Sequence, residues 1–260
     1  MARYARLHAA NNGKFSVDTF ASFDLYCHYV AGLVGEGLSR LFSASGKEVK
    51  ELAEQVSLSN SMGLMLQKTN ILRDFREDTD EGRVFWPAEI WKKYVSSPEE
   101  LYAPGNEEKA MWALSEMTVD ALTHATDALD YLTLLKNQSV FNFCAIPQVM
   151  AVATLDTCFM NPAVMKRNVK IRKGYAVSVR LSSSSSLTRL THPPRQLILQ
   201  ATNPRDVAYI FRDHLRRIHA KARPNDPSFI KIAVLAGRVS LLISAPFCNE
   251  LTIRAGRTMD

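Results

Sequence analysis

The chain has 260 residues, 47% of them hydrophobic and 22% charged, with a formal net charge of +6. This length allows one large domain or two small ones with a buried core, and the composition is that of a globular protein. The modest positive charge comes without a nucleic-acid-binding motif, so we set nucleic acid aside and keep anionic small molecules or a lipid surface as partners.

Cysteine spacing and hydropathy exclude several further classes. The four cysteines are scattered without a C-x-x-C pair, which argues against a disulfide framework or a zinc site: Cys27, Cys144, Cys158 and Cys248. The first 14 residues have no apolar core typical of a signal peptide. The most apolar late stretch, residues 232–247, contains Arg238 and Pro246 and is shorter than the ~20 residues of a membrane span. The sequence therefore predicts no transmembrane segment.

Apolar residues recur at helical spacing through most of the chain, which predicts an all-α protein. The first long helix is expected over residues 24–43, where Gly32 and Gly35 would let another helix or a ligand approach closely. Tyr26 on this helix has two interpretations. It can donate a proton or stabilise a carbocation, or it can be a packed tyrosine with a satisfied hydroxyl group.

The second long helix, predicted over residues 58–78, carries amide and acidic side chains. Asp74, Glu77 and Asp78 are three and four residues apart and therefore share one helix face. Such a face suits Mg²⁺ shared with a substrate diphosphate, and the neighbouring Arg73 and Arg83 can bind phosphate oxygens. The alternative is a solvated charged face with no ligand.

Two further helices are predicted before residue 160. Residues 107–136 form an amphipathic scaffold helix in which His124 is an ordinary member. Residues 137–155 are apolar almost all round, which predicts a helix buried on every side and kinked at Pro147. Phe141 and Phe143 in this helix either line a hydrocarbon pocket or fill the core.

The last third of the chain changes character. Residues 178–196 contain five consecutive serines and a Pro-Pro pair, which predicts a low-complexity insertion. Helical periodicity returns over residues 197–219. No clear period follows Arg238, so residues 239–260 are expected to be an atypical tail.

Several long blocks of this sequence resemble the squalene synthase (farnesyl-diphosphate farnesyltransferase) family, in its fungal form. They are YCHYVAGLVGEGLSRLFSASG, NSMGLMLQKTNILRDFREDTDEGRVFWPAEIWKKY, NQSVFNFCAIPQVMAVATL and VKIRKGYAV. The likeness covers about residues 15–177 and 197–238. Phytoene-forming relatives share the acidic helix but lack the NQSVFNFCAIPQVM block and need no nicotinamide cofactor.

The resemblance implies an isoprenoid-synthase fold, a helical bundle around a central hydrophobic cavity, present here as one partial domain over residues 1–260. It also implies an enzyme that condenses two farnesyl diphosphates to presqualene diphosphate with Mg²⁺ and reduces this intermediate to squalene with NADPH. A monomer at the cytosolic face of the endoplasmic reticulum membrane is implied, attached through an anchor that this chain lacks.

The resemblance also assigns roles to individual residues. Asp74, Glu77 and Asp78 match the magnesium ligands of the second aspartate-rich motif. Polar groups near the diphosphate match Gln67, Asn70, Arg73 and Arg83. The tyrosine of the first step matches Tyr26, and the aromatic residue of the second step matches Phe143. The basic patch associated with the NADPH phosphate matches Lys170 and Arg172.

Departures from the family pattern leave two hypotheses. The first aspartate-rich motif of the family, of D-x-x-E-D type, is not found in this sequence. The diphosphate, which the family binds from two sides of the cavity, would then be bound from one side only. We therefore expect this chain to be N- and C-terminally incomplete and to be a weak or inactive catalyst by itself. Either the chain is part of a longer squalene synthase, or it is a catalytically dead paralogue that binds an isoprenyl diphosphate or a partner without turnover.

Overall fold

A computed structural model of the chain describes residues 15–171 and 203–244. Most of these residues are helical, as the sequence predicts. The α-helices are α1 (Phe20–Cys27), α2 (Leu33–Ala44), α3 (Val56–Arg73), α4 (Phe75–Asp80), α5 (Ala88–Trp91), α6 (Glu107–Leu122), α7 (Ala125–Leu134), α8 (Gln138–Cys158), α9 (Pro204–Lys221) and α10 (Phe229–Ser244). Short 3₁₀ turns occupy Lys50–Glu54, Pro98–Tyr102 and Pro162–Met165. Two-residue strands, β1 (Phe15–Ser16) and β2 (Arg83–Val84), pair in parallel.

The predicted helix over residues 24–43 is observed as α1 and α2 joined by a π-helical turn. Its first turn is capped by Thr19, whose side chain accepts a hydrogen bond from the Ser22 backbone N–H. The π turn at His28–Gly32 carries the chain into α2 without leaving the helical region. Such turns are rare and frequently occur at functional sites.

Helix α3 is the centre of the bundle, since it contacts α1, α2, α6, α7, α8 and the π turn. Two glycines allow its closest approach to its neighbours. A Cβ atom on Gly63 would lie 2.5 Å from the Ala31 carbonyl oxygen, and one on Gly35 would lie 2.4 Å from the Ser59 carbonyl oxygen. Both distances are too short for a side chain, so the expectation that Gly35 permits close helix packing is confirmed.

Two helices predicted as continuous are interrupted. The helix expected over residues 58–78 breaks at Asp74, which has φ −95° and ψ 9°. The hydrogen bonds from Asp74 N–H to Asn70 and from Asp78 N–H to Asp74 nevertheless bridge this break. The helix expected over residues 107–136 divides into α6 and α7 at His124, directly after Thr123 donates to the Asp120 carbonyl at 2.6 Å. Back-bonding of this kind bends helices, and His124 is therefore not an ordinary helix residue.

Helix α8 begins as predicted, because the Asn137 side chain accepts hydrogen bonds from the backbone N–H groups of Ser139 and Val140. Most of its second half is buried, and in the first half Phe141 is only 3% exposed. Phe143, however, is 57% exposed, so the expectation of burial on every side is wrong for the first half. Within the described ranges, α8 is also the one helix long and apolar enough to cross a membrane, but 61% of its most apolar window is buried inside the protein, as in a core helix.

The C-terminal helices pack on one another and on α8. The helix expected over residues 197–219 is present as α9 within the described residues. Helix α10 continues past Arg238 to Ser244, with Val239 and Ile243 buried on one side, so the predicted loss of helical period is wrong for these residues. The proposed insertion at 178–196 and residues 245–260 lie outside the described ranges. Of the cysteines, Cys27, Cys144 and Cys158 are free, as expected, and Cys248 is not described.

A buried carboxylate joins α8 to α9. Asp156 accepts hydrogen bonds from His214 Nδ1 at 2.8 Å, Arg217 Nε at 2.7 Å and Lys221 Nζ at 2.7 Å. Burial alone would raise the pKa of Asp156, but these three donors outweigh it and hold that pKa far below its ordinary value. The network therefore connects the α8–α9 pair through charge as well as apolar contact.

Candidate functional site

One face of α3 changes from apolar to acidic along its length. Met62, Leu66, Asn70 and Asp74 follow one another in steps of four and therefore lie along one face. Leu66 lines a cavity, whereas Asp74 ends the helix. Eight residues separate them, which corresponds to ~12 Å along a helix axis.

The cavity is apolar and lies between α2, α3, α7, α8 and the π turn. Its volume is about 270 Å³, just below the ~300 Å³ lower end of ligand pockets. The polar Tyr131 in its wall forms a hydrogen bond with Ser39, at 2.7 Å between the two hydroxyl oxygens. The lining residues are Val30, Ala31, Val34, Gly35, Leu38, Phe42, Ser59, Met62, Gly63, Leu66, Tyr131, Phe143, Cys144, Pro147 and Gln148.

Asp74 is held by its own neighbour. Arg73 donates from Nε to Asp74 Oδ1 at 2.8 Å and from Nη2 to Oδ2 at 2.6 Å, a bidentate pair. The two side chains are 27% and 24% exposed, so the pair lies at the edge of the protein interior. The hydrogen bond to Asp74 raises the pKa of Arg73, which therefore stays charged.

Asp78 lies one turn further and is paired with Arg83. The distance from Arg83 Nη2 to Asp78 Oδ1 is 2.8 Å, and Arg83 also contacts Glu81. Burial raises the pKa of Asp78, and the ion pair with Arg83 opposes this rise. Glu77, between the two aspartates, is exposed. The sequence-predicted acids and arginines are thus brought together around α4.

Asn168 completes this group, and the sequence analysis missed it. Its Nδ2 donates to Asp74 Oδ1 and, at 3.3 Å, to Glu77 Oε2. Its Oδ1 atom is buried and has no hydrogen-bond partner. Asn168 directly precedes the VKIRKGYAV block. A single asparagine produces no repeating pattern in a sequence, so its position next to that block was the one signal that could have identified it.

The donor set fits a hard divalent cation, although the ligands are not gathered at one point. In residues 15–171 and 203–244, no group of three or more His, Cys, Asp or Glu side chains is arranged to hold a metal ion. Mg²⁺ needs only one or two carboxylates when phosphate oxygens complete its shell. Asp74 and Asp78 provide carboxylates, and the unpartnered Asn168 Oδ1 is a further buried oxygen beside them.

The remaining predicted residues lie in three places. Tyr26 packs on Phe85 with ring centroids 5.1 Å apart, two residues from Arg83. Phe143 lines the cavity and meets Phe42 edge-on at 6.0 Å, so its interpretation as core filler is wrong. Gln67 is partly buried and Asn70 is exposed, both before the break at Asp74.

The predicted cofactor residues are described only in part. Lys170 is exposed, two residues after Asn168. Arg172 lies outside the described residues. Because Asn168 contacts Asp74 and Glu77, Lys170 lies two residues along the chain from a contact with the acidic group.

A buried lysine near Tyr26 also escaped the sequence analysis. Lys68 is 1% exposed and pairs with Asp24 at 2.6 Å and Asp120 at 2.9 Å. Burial would lower the pKa of Lys68, but the two carboxylates outweigh it and raise that pKa. Because Asp24 is on α1 and Asp120 is on α6, Lys68 ties both helices to α3 and fixes the helix that carries Tyr26.

The family model for squalene/phytoene synthase matches residues 2–175. This range includes α1 to α8, the cavity, Asn168 and every acid described above. The chain belongs to the squalene/phytoene synthase family. The expected family resemblance is thereby confirmed.

Individual relatives point to squalene synthases within that family. The chain is 52% identical over 247 residues to the squalene synthase of Schizosaccharomyces pombe, covering 95% of this chain and 50% of that protein. It is 50% identical over 250 residues to the squalene synthase of Ganoderma lucidum, covering 92% of this chain and 50% of that protein. The squalene synthase of Rattus norvegicus is 48% identical over 230 residues, covering 88% of this chain and 51% of that protein. The chain therefore spans about half the length of the curated relatives it matches.

The fold agrees with a solved structure. A complex of TcSQS with the ligand BPH1237 superposes with a TM-score of 0.77 and 37% sequence identity, covering 88% of this chain and 62% of that one. The prediction of an all-α isoprenoid-synthase fold is confirmed.

Proposed function

We propose that this chain belongs to an enzyme that condenses two farnesyl diphosphates head to head into presqualene diphosphate and reduces the product to squalene. The observation that carries the proposal is the two-part face of α3, which lines an apolar cavity at Leu66 and ends in a paired carboxylate at Asp74. A prenyl diphosphate has the same two parts, an apolar chain and an anionic head. The names of the fungal relatives support the specific reaction.

In this proposal the acidic group binds the diphosphate end. Asp74, Glu77 and Asp78 hold Mg²⁺, which when bound neutralises charge on the leaving diphosphate. Arg73 and Arg83 are already oriented by Asp74 and Asp78, and both can turn a guanidinium edge to phosphate oxygens. Gln67 and Asn70 supply polar contacts on the side of α3 nearer the cavity.

The aromatic residues act on the prenyl chains. Phe143 presents a largely exposed ring at the cavity, where a π face can stabilise a carbocation. Tyr26, packed against Phe85 near Arg83, is placed to act in the first condensation. An apolar wall disfavours water, which would quench a carbocation, although the exposure of Phe143 means that the cavity of this chain opens to solvent.

NADPH supplies the hydride for the second step, and Lys170 with Arg172 would bind its phosphate. Exposure of Lys170 supports this assignment. We further propose a monomer that works at the cytosolic face of the endoplasmic reticulum membrane, as the resemblance to squalene synthases implies.

The test is to incubate the purified protein with farnesyl diphosphate and Mg²⁺, with and without NADPH. Because this chain alone is expected to be a weak or inactive catalyst, at most traces of presqualene diphosphate are expected without NADPH and at most traces of squalene with it. Robust squalene output would refute that expectation. A product that does not depend on NADPH would favour a phytoene-type synthase. The same assay tests the expectation that this chain alone is a weak or inactive catalyst.

One observation favours the second candidate, a protein that binds an isoprenyl diphosphate without turnover. Among the described residues, no three ligating side chains converge, and Asp74 and Asp78 are both occupied by arginines. Saturable binding of farnesyl diphosphate by this chain, with no release of diphosphate, would support this candidate.

A further inference from the structure

Asn168 connects two segments that are far apart in sequence. It is 94 residues from Asp74 and 91 residues from Glu77, and its Nδ2 atom donates to both. Arg73 hydrogen-bonds to Asp74 and interacts electrostatically with Glu77, whereas Asn168 donates a hydrogen bond to each of the two carboxylates. The short segment that carries Asn168 continues directly to Lys170.

Its position is set by the core. Val164, Met165 and Val169 around it are 0%, 5% and 5% exposed, so the backbone on both sides is anchored. The preceding 3₁₀ turn is capped by Asn161, which accepts from the Ala163 backbone N–H at 3.0 Å. The carboxamide of Asn168 therefore reaches Asp74 from a fixed base, while the Arg73 side chain reaches it from α3 itself.

The chemistry of these contacts leaves room for a cation. An ionised carboxylate has about four lone-pair positions. Arg73 uses one on each oxygen of Asp74, and Asn168 uses a second on Oδ1. An amide orients the carboxylate as a lysine would, but it adds no positive charge that would repel Mg²⁺.

We infer that Asn168 is a positioning residue that orients Asp74 and Glu77 for divalent-cation binding. The inference rests on the proposed function in taking Mg²⁺ with a diphosphate as the ligand. Groups that hydrogen-bond to metal-binding side chains fix their orientation, and their loss typically weakens metal binding by ~10- to 100-fold. The amide N–H, rather than the volume of the side chain, is the feature that matters.

The test is a titration of the full chain with Mn²⁺ in the presence of inorganic pyrophosphate, with free Mn²⁺ followed by electron paramagnetic resonance. Mn²⁺ favours the same oxygen ligands as Mg²⁺. Asn168→Leu keeps the approximate size of the side chain and removes both the N–H donor and the amide oxygen, and we expect its Mn²⁺ affinity to fall ~10-fold. Asn168→Gln keeps the donor and is expected to retain most of that affinity.

Two controls separate positioning from folding. Asn142→Leu replaces an exposed amide on α8, away from the acidic group, and is expected to bind Mn²⁺ as the unaltered chain does. Urea denaturation of each variant measures stability independently. A purely structural role for Asn168 would lower stability in the leucine variant without changing the Mn²⁺ affinity of the folded fraction.

The inference is overturned if Asn168→Leu binds Mn²⁺ as tightly as the unaltered chain. It is also overturned if the unaltered chain binds no Mn²⁺ with pyrophosphate. If Mn²⁺ binding depends on Asn168 but farnesyl diphosphate is not converted, the inference stands and the proposed reaction fails.

Discussion

Carboxylates in two regions of this protein pair with cationic side chains, but the cations come from very different distances along the chain. Asp74 pairs with the adjacent Arg73 in the acidic group, and Asp78 pairs with Arg83 five residues later. Asp156 takes its partners from α9, between 58 and 65 residues away. A pair between residues close in sequence requires little loop-closure entropy and does not connect distant segments, whereas a long-range pair holds two helices together. In the proposed function the first arrangement serves binding, whereas the second holds helices of the fold together.

The largest effect is expected at Asp74, on activity rather than stability. Loss of a magnesium ligand removes several kcal/mol of charge stabilisation, so Asp74→Ala should slow release of diphosphate from farnesyl diphosphate by ~100-fold or more. The free energy of unfolding should change by less than ~1 kcal/mol, because the pair is local and partly exposed. Steady-state kinetics and urea denaturation measure the two quantities. Unchanged Mg²⁺-dependent diphosphate binding in this variant would remove Asp74 from the metal site.

At the α8–α9 interface we expect the largest effect on stability rather than on activity. Asp156→Asn keeps the shape of the side chain but leaves Arg217 and Lys221 without a countercharge. We expect the free energy of unfolding to fall by ~2–3 kcal/mol, less than for a fully buried pair because both partners are partly exposed. Asp213→Asn, which breaks the adjacent-residue pair with Arg212, is the matched control and should cost less than ~0.5 kcal/mol. Equal losses in the two variants would contradict the distinction between local and long-range pairs.

Buried groups should also make stability depend on pH. Burial lowers the pKa of His124 to about 4, assisted by the nearby charge of Lys68, from 6.5. Below pH 6.5 the unfolded chain therefore binds a proton that the folded chain does not, so stability is lost as the pH falls towards 4. Between pH 7 and pH 5 this single histidine should cost ~2 kcal/mol of unfolding free energy.

His124→Gln provides the comparison for this pH effect, because it removes the titrating group. Urea denaturation at the two pH values should show a smaller loss for the variant than for the unaltered chain. An identical loss in both would place the pH dependence elsewhere, for example at the buried His214, whose pKa burial also lowers.

The smallest effect is expected at Asp80. This residue pairs with Arg76 one turn away and is 52% exposed, so Asp80→Ala should change the free energy of unfolding by ~0.5 kcal/mol at most. Diphosphate release should be unchanged, since Asp80 is outside the group around Asp74. The variant also controls for Asp74→Ala, because it removes a carboxylate from the same acidic segment. A large loss of activity here would mean that the total charge of the segment matters rather than the position of each acid.

The sequence predicted where the helices lie better than it predicted where they break. Helical periodicity located the helices, and the Asn137 cap was read correctly. The breaks at Asp74 and His124 were missed because each depends on one residue's backbone angles and leaves the apolar pattern intact. Periodicity left both interpretations of Phe143 open for a related reason, since an apolar helix does not reveal which of its sides faces a cavity.

The acidic group was predicted in part. Asp74, Glu77 and Asp78 share a helix face because of their spacing, and the flanking arginines were evident. Asn168 and Lys68 were not, because their roles come from contacts across 94 and 52 residues of chain, respectively. The functional role of every assigned site residue stays a prediction: Tyr26, Phe143, Gln67, Asn70, Arg73, Arg83, Lys170, Arg172, Asp74, Glu77 and Asp78.

The sequence by itself determined the helical class, the family and the acidic face of α3 and α4, since each is encoded in local spacing or in long contiguous motifs. Tertiary structure alone decided which carboxylates are paired locally and which join distant helices, and it placed Asn168 beside Asp74. The physical reason is that spacing along a helix fixes direction within one element, whereas burial and long-range hydrogen bonds exist only after the helices have packed.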